Sequence, residues 1–182
     1  ILYALREFGI GAVNSFIGMF AIVYLDLESG KTFFFRDRAG VKPFYYAVMP
    51  DKSFAFGSEL KAIFQYPGYQ KNLNKAGIAD YLRYGYFLGN QTVFNNTFKV
   101  NPGAYIIFDT ARQTFEEHKY WDVAESYKQS IQKINESEAV DELEKIMTSA
   151  FDYRMIADVP VGVFLSGGYD STTLAAVLQK NR

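Results

Sequence analysis

The sequence predicts two fold classes in series: an α+β region over roughly the first 121 residues, then the opening of a doubly wound parallel α/β domain. Three observations carry this. Short β-branched or aromatic runs punctuated by turn residues fill the first part. Apolar residues recur at helical spacing from about residue 136. A wholly apolar run, Val161-Gly162-Val163-Phe164-Leu165, then ends abruptly in Ser166-Gly167-Gly168, after which helical spacing resumes over 172–179. Helix, buried strand, glycine turn and helix is how a doubly wound domain begins.

Element by element, helices are expected at 2–8, 59–64 and 75–84, the last capped by Asn74. Strands are expected at 19–25, 31–35, 44–48, 53–56 and 104–109. Glu28-Ser29-Gly30 and Pro50-Asp51 read as hairpin turns between neighbouring runs. Phe33-Phe34-Phe35 and Phe44-Tyr45-Tyr46 are apolar at consecutive positions rather than alternating, which predicts a sheet covered on both faces. A polar stretch at 122–135 reads as a linker. Beyond it Ala139, Val140, Leu143, Ile146, Met147, Ala150 and Phe151 form the stripe of an amphipathic helix that packs a domain. Asn135 and Glu138 supply a capping box at its start.

Composition narrows the chemistry. With 182 residues, 49% apolar, and 17 Phe, 14 Tyr and 1 Trp, the chain can build a core, and disorder is excluded. Nineteen Lys plus Arg against 20 Asp plus Glu leave a net charge of −1, so no broad basic field exists for a nucleic acid or an anionic membrane. No cysteine and one histidine remove disulfides, Cys/His zinc sites and thiol nucleophiles from these residues. The ten-residue apolar run at 16–25 is too short to span a bilayer, and no signal peptide precedes it, so a cytoplasmic location is expected. A start at Ile1 rather than Met predicts a fragment.

The chemistry concentrates in Ser166-Gly167-Gly168-Tyr169-Asp170-Ser171-Thr172. Two glycines let an anion approach the backbone amides, and the helix that follows adds its N-terminal N–H groups and dipole. Ser166, Ser171 and Thr172 add hydroxyl donors. Asp170 would repel phosphate unless a divalent cation lay between them, which makes it the candidate Mg²⁺ ligand. The Gly-Lys-Ser/Thr ending of a Walker loop is absent.

Ser-Gly-Gly-x-Asp-Ser resembles the pyrophosphate loop of ATP pyrophosphatases. Upstream, the stretches 16–21, 36–46 (Arg-Asp-Arg-Ala-Gly-Val-Lys-Pro-Phe-Tyr-Tyr) and 56–62 (Phe-Gly-Ser-Glu-Leu-Lys-Ala) are similar to the later half of class II glutamine amidotransferase domains. Lys119-Tyr120-Trp121 and the stretch 158–163 also match, and together the resemblance is to glutamine-hydrolysing asparagine synthetases. It implies the C-terminal half of an αββα N-terminal-nucleophile-type glutaminase sandwich at 1–121, a linker at 122–135, and the start of an adenine nucleotide alpha hydrolase-like domain at 136–182. It further implies ATP-dependent amidation of aspartate through β-aspartyl-AMP, with ammonia from glutamine delivered through a tunnel and AMP and pyrophosphate released. The implied small-molecule substrates are glutamine, aspartate and ATP, the implied cofactors are ATP and Mg²⁺, and a homodimer is kept open. By the family pattern Ser166, Gly167, Gly168, Asp170 and Ser171 contact pyrophosphate or its metal, and the strand end at Phe164 and Leu165 lies beside the nucleotide.

The chain carries no catalytic residue of the glutaminase part, because the family's nucleophile is an N-terminal cysteine. The 182 residues alone are therefore expected to be inactive. Arg36 and Asp37 are expected to brace the sheet, Ser58-Glu59 to start a helix, Met19 to lie in the core, although it falls where the family's tunnel begins, and His118 to bind no metal. Three formal glycosylation sequons begin at Asn90, Asn95 and Asn135. Two alternatives remain at this level: an enzyme of the same fold with another acceptor, such as a β-lactam synthetase-like one, and a non-catalytic binding module.

Overall fold

The computed structural model describes residues 1–131 and 133–180; the expected linker and second domain each reach residues outside these, at 132 and at 181–182. The chain divides into two compact units, Ile1–Tyr127 and Lys128–Arg182.

In the first unit the chain runs through α1 (Leu2–Phe8), a 3-10 turn (Ile10–Ser15), and the strands β1 (Ala21–Asp26), β2 (Lys31–Arg36), β3 (Tyr45–Val48) and β4 (Phe54–Gly57). It continues through α2 (Leu60–Ile63), α3 (Lys75–Tyr84), β5 (Thr97–Lys99), β6 (Ala104–Asp109), β7 (Thr114–Lys119) and α4 (Val123–Tyr127). Two antiparallel sheets form, one in the order β1-β2-β6-β7 and one in the order β4-β3-β5. Both expected turns are present. Asp26 accepts from the Glu28 N–H and the Ser29 hydroxyl in the first, and Asp51 accepts from Ser53 in the second.

The triple phenylalanine of β2 is buried on both faces of its sheet. Phe33 and Phe35, opposite Tyr24 and Ile22 on β1 and Ile107 and Tyr105 on β6, pack against Leu5 of α1 and Ala12 and Val13 of the 3-10 turn. Phe34 points the other way, with Ile106, into Phe44, Tyr46 and Val100 and the rings of Phe54 and Phe98 from the second sheet. The far face of that second sheet presents Ala47 and Met49 to Ile63 of α2. Helical segments therefore flank two stacked sheets. A strand facing helices on one side and a sheet on the other has no solvent face to mark with polar residues, which is why β2 does not alternate.

Four elements were not foreseen: the 3-10 turn, β5, β7 and α4. β7 reads Thr-Phe-Glu-Glu-His-Lys and is an edge strand, where charge discourages pairing with another chain. The other edge, β1, has no such guard and exposes Val23 and Leu25. Met19 was expected inside the first strand and the core; β1 begins two residues later and Met19 is exposed, because Gly18 and Met19 belong to the loop that enters the sheet. Ser58 was expected to cap a helix beginning at Glu59, but Glu59 is itself the N-cap of α2 and its carboxylate pairs with Lys61 at 2.6 Å.

The second unit contains α5 (Glu136–Arg154) and α6 (Tyr169–Lys180). The capping box forms as expected: Asn135 accepts from the Glu138 N–H at 2.9 Å while Glu138 accepts from the Asn135 N–H at 3.1 Å. Leu178 is the buried anchor of α6, and Lys180 pairs with Glu144 across the two helices. The expected strand at 161–165 is absent. These residues belong to no helix or strand and are exposed, with Phe164 99% exposed, and no strand occurs among the described residues of this unit. A parallel strand is stable only between hydrogen-bonded neighbours, and two helices supply none. For the same reason the α5 stripe is only partly covered: Val140, Leu143 and Ile146 are each more than half exposed, whereas Ala139, Met147, Ala150 and Phe151 are half-buried. Among the described residues no helix is long and apolar enough to cross a membrane.

Candidate functional site

The candidate loop follows the exposed segment that ends at Leu165 and opens α6. Gly167 sits at φ +81°, a left-handed conformation costly for any residue with a Cβ, and the space where that Cβ would lie is empty. Gly168 caps the helix, its carbonyl accepting from the Thr172 N–H at 3.1 Å. The N–H groups of Tyr169, Asp170 and Ser171, as the first three of the helix, have no intrahelical acceptor and face outward with the positive end of the dipole.

The hydroxyls converge on this opening. Ser166 Oγ and Ser171 Oγ lie 3.0 Å apart, the Gly168 N–H donates to Ser166 Oγ at 3.4 Å, and Ser171 Oγ donates to the Gly168 carbonyl at 3.2 Å. Five of the expected residues, Ser166, Gly167, Gly168, Asp170 and Ser171, are thus brought together at one helix end. Thr172 is there through its backbone. Phe164 and Leu165 adjoin the loop in an exposed, unpaired stretch rather than at a strand end. Tyr169 projects into solvent, 94% exposed.

Asp170 is a single exposed carboxylate in the first turn of α6. Among the described residues no group of three or more His, Cys, Asp or Glu could hold a metal ion. This donor set suits Mg²⁺ held jointly by one carboxylate and phosphate oxygens, and does not suit an ion caged by protein alone. An open groove of about 870 Å³ runs along α5 between Asp141 and Ile156 and contains none of the loop residues. It is an uncovered helix face.

The first unit holds a different cluster, built on Arg36-Asp37-Arg38 at the end of β2. Asp37 is 2% exposed, and its carboxylate accepts from the backbone N–H groups of Val41 and Lys42, each at 2.9 Å, and of Phe20 at 3.3 Å. Arg36 donates to the carbonyls of Val100, Gly40 and Lys42 at 2.6, 2.7 and 2.9 Å. Arg38 donates to those of Asn14 and Phe16 at 2.6 and 2.8 Å. Tyr120 returns a bond from its hydroxyl to the Arg36 carbonyl at 2.7 Å. Gly103 closes the knot: at φ +64°, a Cβ there would lie 2.4 Å from the Trp121 carbonyl oxygen.

These charges are spent on backbone groups, so the cluster ties loops to the sheets and offers little to a ligand. Burial lowers the Arg36 pKa despite the neighbouring Asp37, and burial followed by the proximity of Arg36 lowers that of Lys99. Burial pushes the phenols of Tyr46 and Tyr120 up to about 12, the first reinforced by Glu117. The bracing role expected of Arg36 and Asp37 is what the geometry displays. Arg38 was missed as a member, although its place beside them in the sequence was the available signal.

The remaining features are local. His118 stacks on Tyr105, 5.2 Å between ring centroids, with Nε2 3.5 Å from a Glu116 oxygen. Thr92 and Thr97, which complete two sequons, are buried and hydrogen-bonded, and the third sequon is the α5 cap.

Comparison with known proteins agrees with this division. Residues 1–121 match the family described as glutamine amidotransferase domain, and residues 142–182 match that described as asparagine synthase. A Methanocaldococcus jannaschii protein whose name places it with the glutamine-hydrolyzing asparagine synthetases is 36% identical over 99% of this chain. Asparagine synthetase (glutamine-hydrolyzing) 2 of Bacillus subtilis is 28% identical over 96%, and amidase chyE of Penicillium rubens 30% identical over 95%. The chain spans only 34%, 24% and 25% of their respective lengths. With an amidotransferase match over residues 1–121 followed in the same chain by an asparagine synthase match, this chain belongs to the glutamine-hydrolysing asparagine synthetase family.

Proposed function

We propose that the parent protein is an ATP-dependent ligase that amidates the side-chain carboxylate of aspartate with ammonia drawn from glutamine, and that the loop at Ser166 binds the pyrophosphate of ATP. The observation that carries this is the Ser-Gly-Gly-x-Asp-Ser turn at the start of α6, with Gly167 left-handed and two hydroxyls converging, in a chain whose first 121 residues match an amidotransferase domain. On this reading residues 1–121 are the later part of an αββα glutaminase sandwich, 122–135 a linker, and 136–182 the beginning of a doubly wound synthetase domain. The exposed stretch at 161–165 takes its place as a strand only beside further strands of that domain.

Chemically, the carboxylate attacks the α-phosphorus, giving β-aspartyl-AMP and pyrophosphate, and ammonia then displaces AMP. The loop's part is electrostatic. Amide N–H groups at the head of α6, with Ser166 and Ser171, offer preorganised donors to the charge that develops on departing pyrophosphate. Asp170 would hold Mg²⁺ against the same oxygens, and bound Mg²⁺ neutralises phosphate charge. Phe164 and Leu165 would flank the nucleotide.

A second acceptor is favoured by one observation, the similarity to a protein named as an amidase. Full-length protein would be assayed for pyrophosphate release from ATP with Mg²⁺, with and without aspartate. Release that needs aspartate, and that falls about 100-fold in Asp170→Ala, is the expected result, in line with the effect of losing a metal-orienting group. Release driven by another carboxylic acid but not by aspartate would favour the second acceptor, and unchanged release by Asp170→Ala would refute the Mg²⁺ role.

A further inference from the structure

We draw no further inference here: the strongest candidate, the exposed apolar patch formed by Val23 and Leu25 on the unguarded edge of β1 together with Ile17 and Met19 in the loop before it, carries nothing, because no feature of the structure shows what covers it.

Discussion

The two units contain similar apolar sequence and do opposite things with it. In the first, Phe33, Phe34 and Phe35 are consecutive and all buried, because β2 lies between helical segments on one side and a second sheet on the other. In the second, Val161, Val163, Phe164 and Leu165 are nearly consecutive and all exposed. The difference is one of partners. An apolar run supplies one side of a core, and the burial that stabilises it comes from whatever packs on the other side. The same rule explains α5, whose capping box forms because it is local while Val140, Leu143 and Ile146 of its apolar stripe stay exposed because their cover would have to come from elsewhere.

The sharpest way to break this comparison is a pair of truncations. Phe35→Ala, at a fully buried position, should destabilise the first unit by about 3–5 kcal/mol in urea unfolding, whereas Phe164→Ala should change stability by less than about 0.5 kcal/mol. Comparable losses in both would show that the second unit has a core the structure lacks. Next in size, Asp37→Ala removes the acceptor of three backbone N–H groups and should cost about 3 kcal/mol, with faster amide exchange at Phe20, Val41 and Lys42. Unaltered exchange at those amides would mean that the loops are held by Arg36 and Arg38 alone.

Alkaline titration probes the same core from its tyrosines. An unfolded tyrosine loses its proton near pH 10, whereas Tyr46 and Tyr120 are pushed up to about 12 by burial. The folded state thus keeps protons that the unfolded state has released. The stabilisation is complete below pH 10 and is lost as pH rises toward 12. Absorbance near 295 nm should show a late-titrating fraction that shrinks in Tyr46→Phe and in Tyr120→Phe, and its absence from the wild type would count against a tight first unit. The smallest effect belongs to the second unit: Asn135→Ala should cost about 1 kcal/mol of α5 stability, read as lost helical signal by circular dichroism.

Local features were legible in the sequence. The bounds of α3 follow from Asn74, which accepts from the Gly77 N–H at 3.0 Å, and from Gly85, whose left-handed φ of +80° ends the helix. The hairpins followed from their turn residues, and the two-sided burial of β2 from its unbroken aromatic run. β5 and β7 escaped because three residues are too few to show a period and because an edge strand's charges imitate a loop. The candidate loop was readable residue by residue, since glycine freedom, helix dipole and hydroxyl chemistry are properties of seven adjacent positions.

By itself, then, the sequence determined the turns, the caps, the apolar faces and the glycine-and-hydroxyl character of the stretch 166–172, all of which arise from interactions among residues a few positions apart. Only the tertiary structure decided which apolar faces become cores. It buried Phe34 against a sheet that includes Phe98, 64 residues further along the chain, joined Arg36 to the Val100 carbonyl, and left 161–165 unpaired. Burial and strand pairing require partners that meet only through folding, and the spacing of residues along one strand does not state where its neighbour will be.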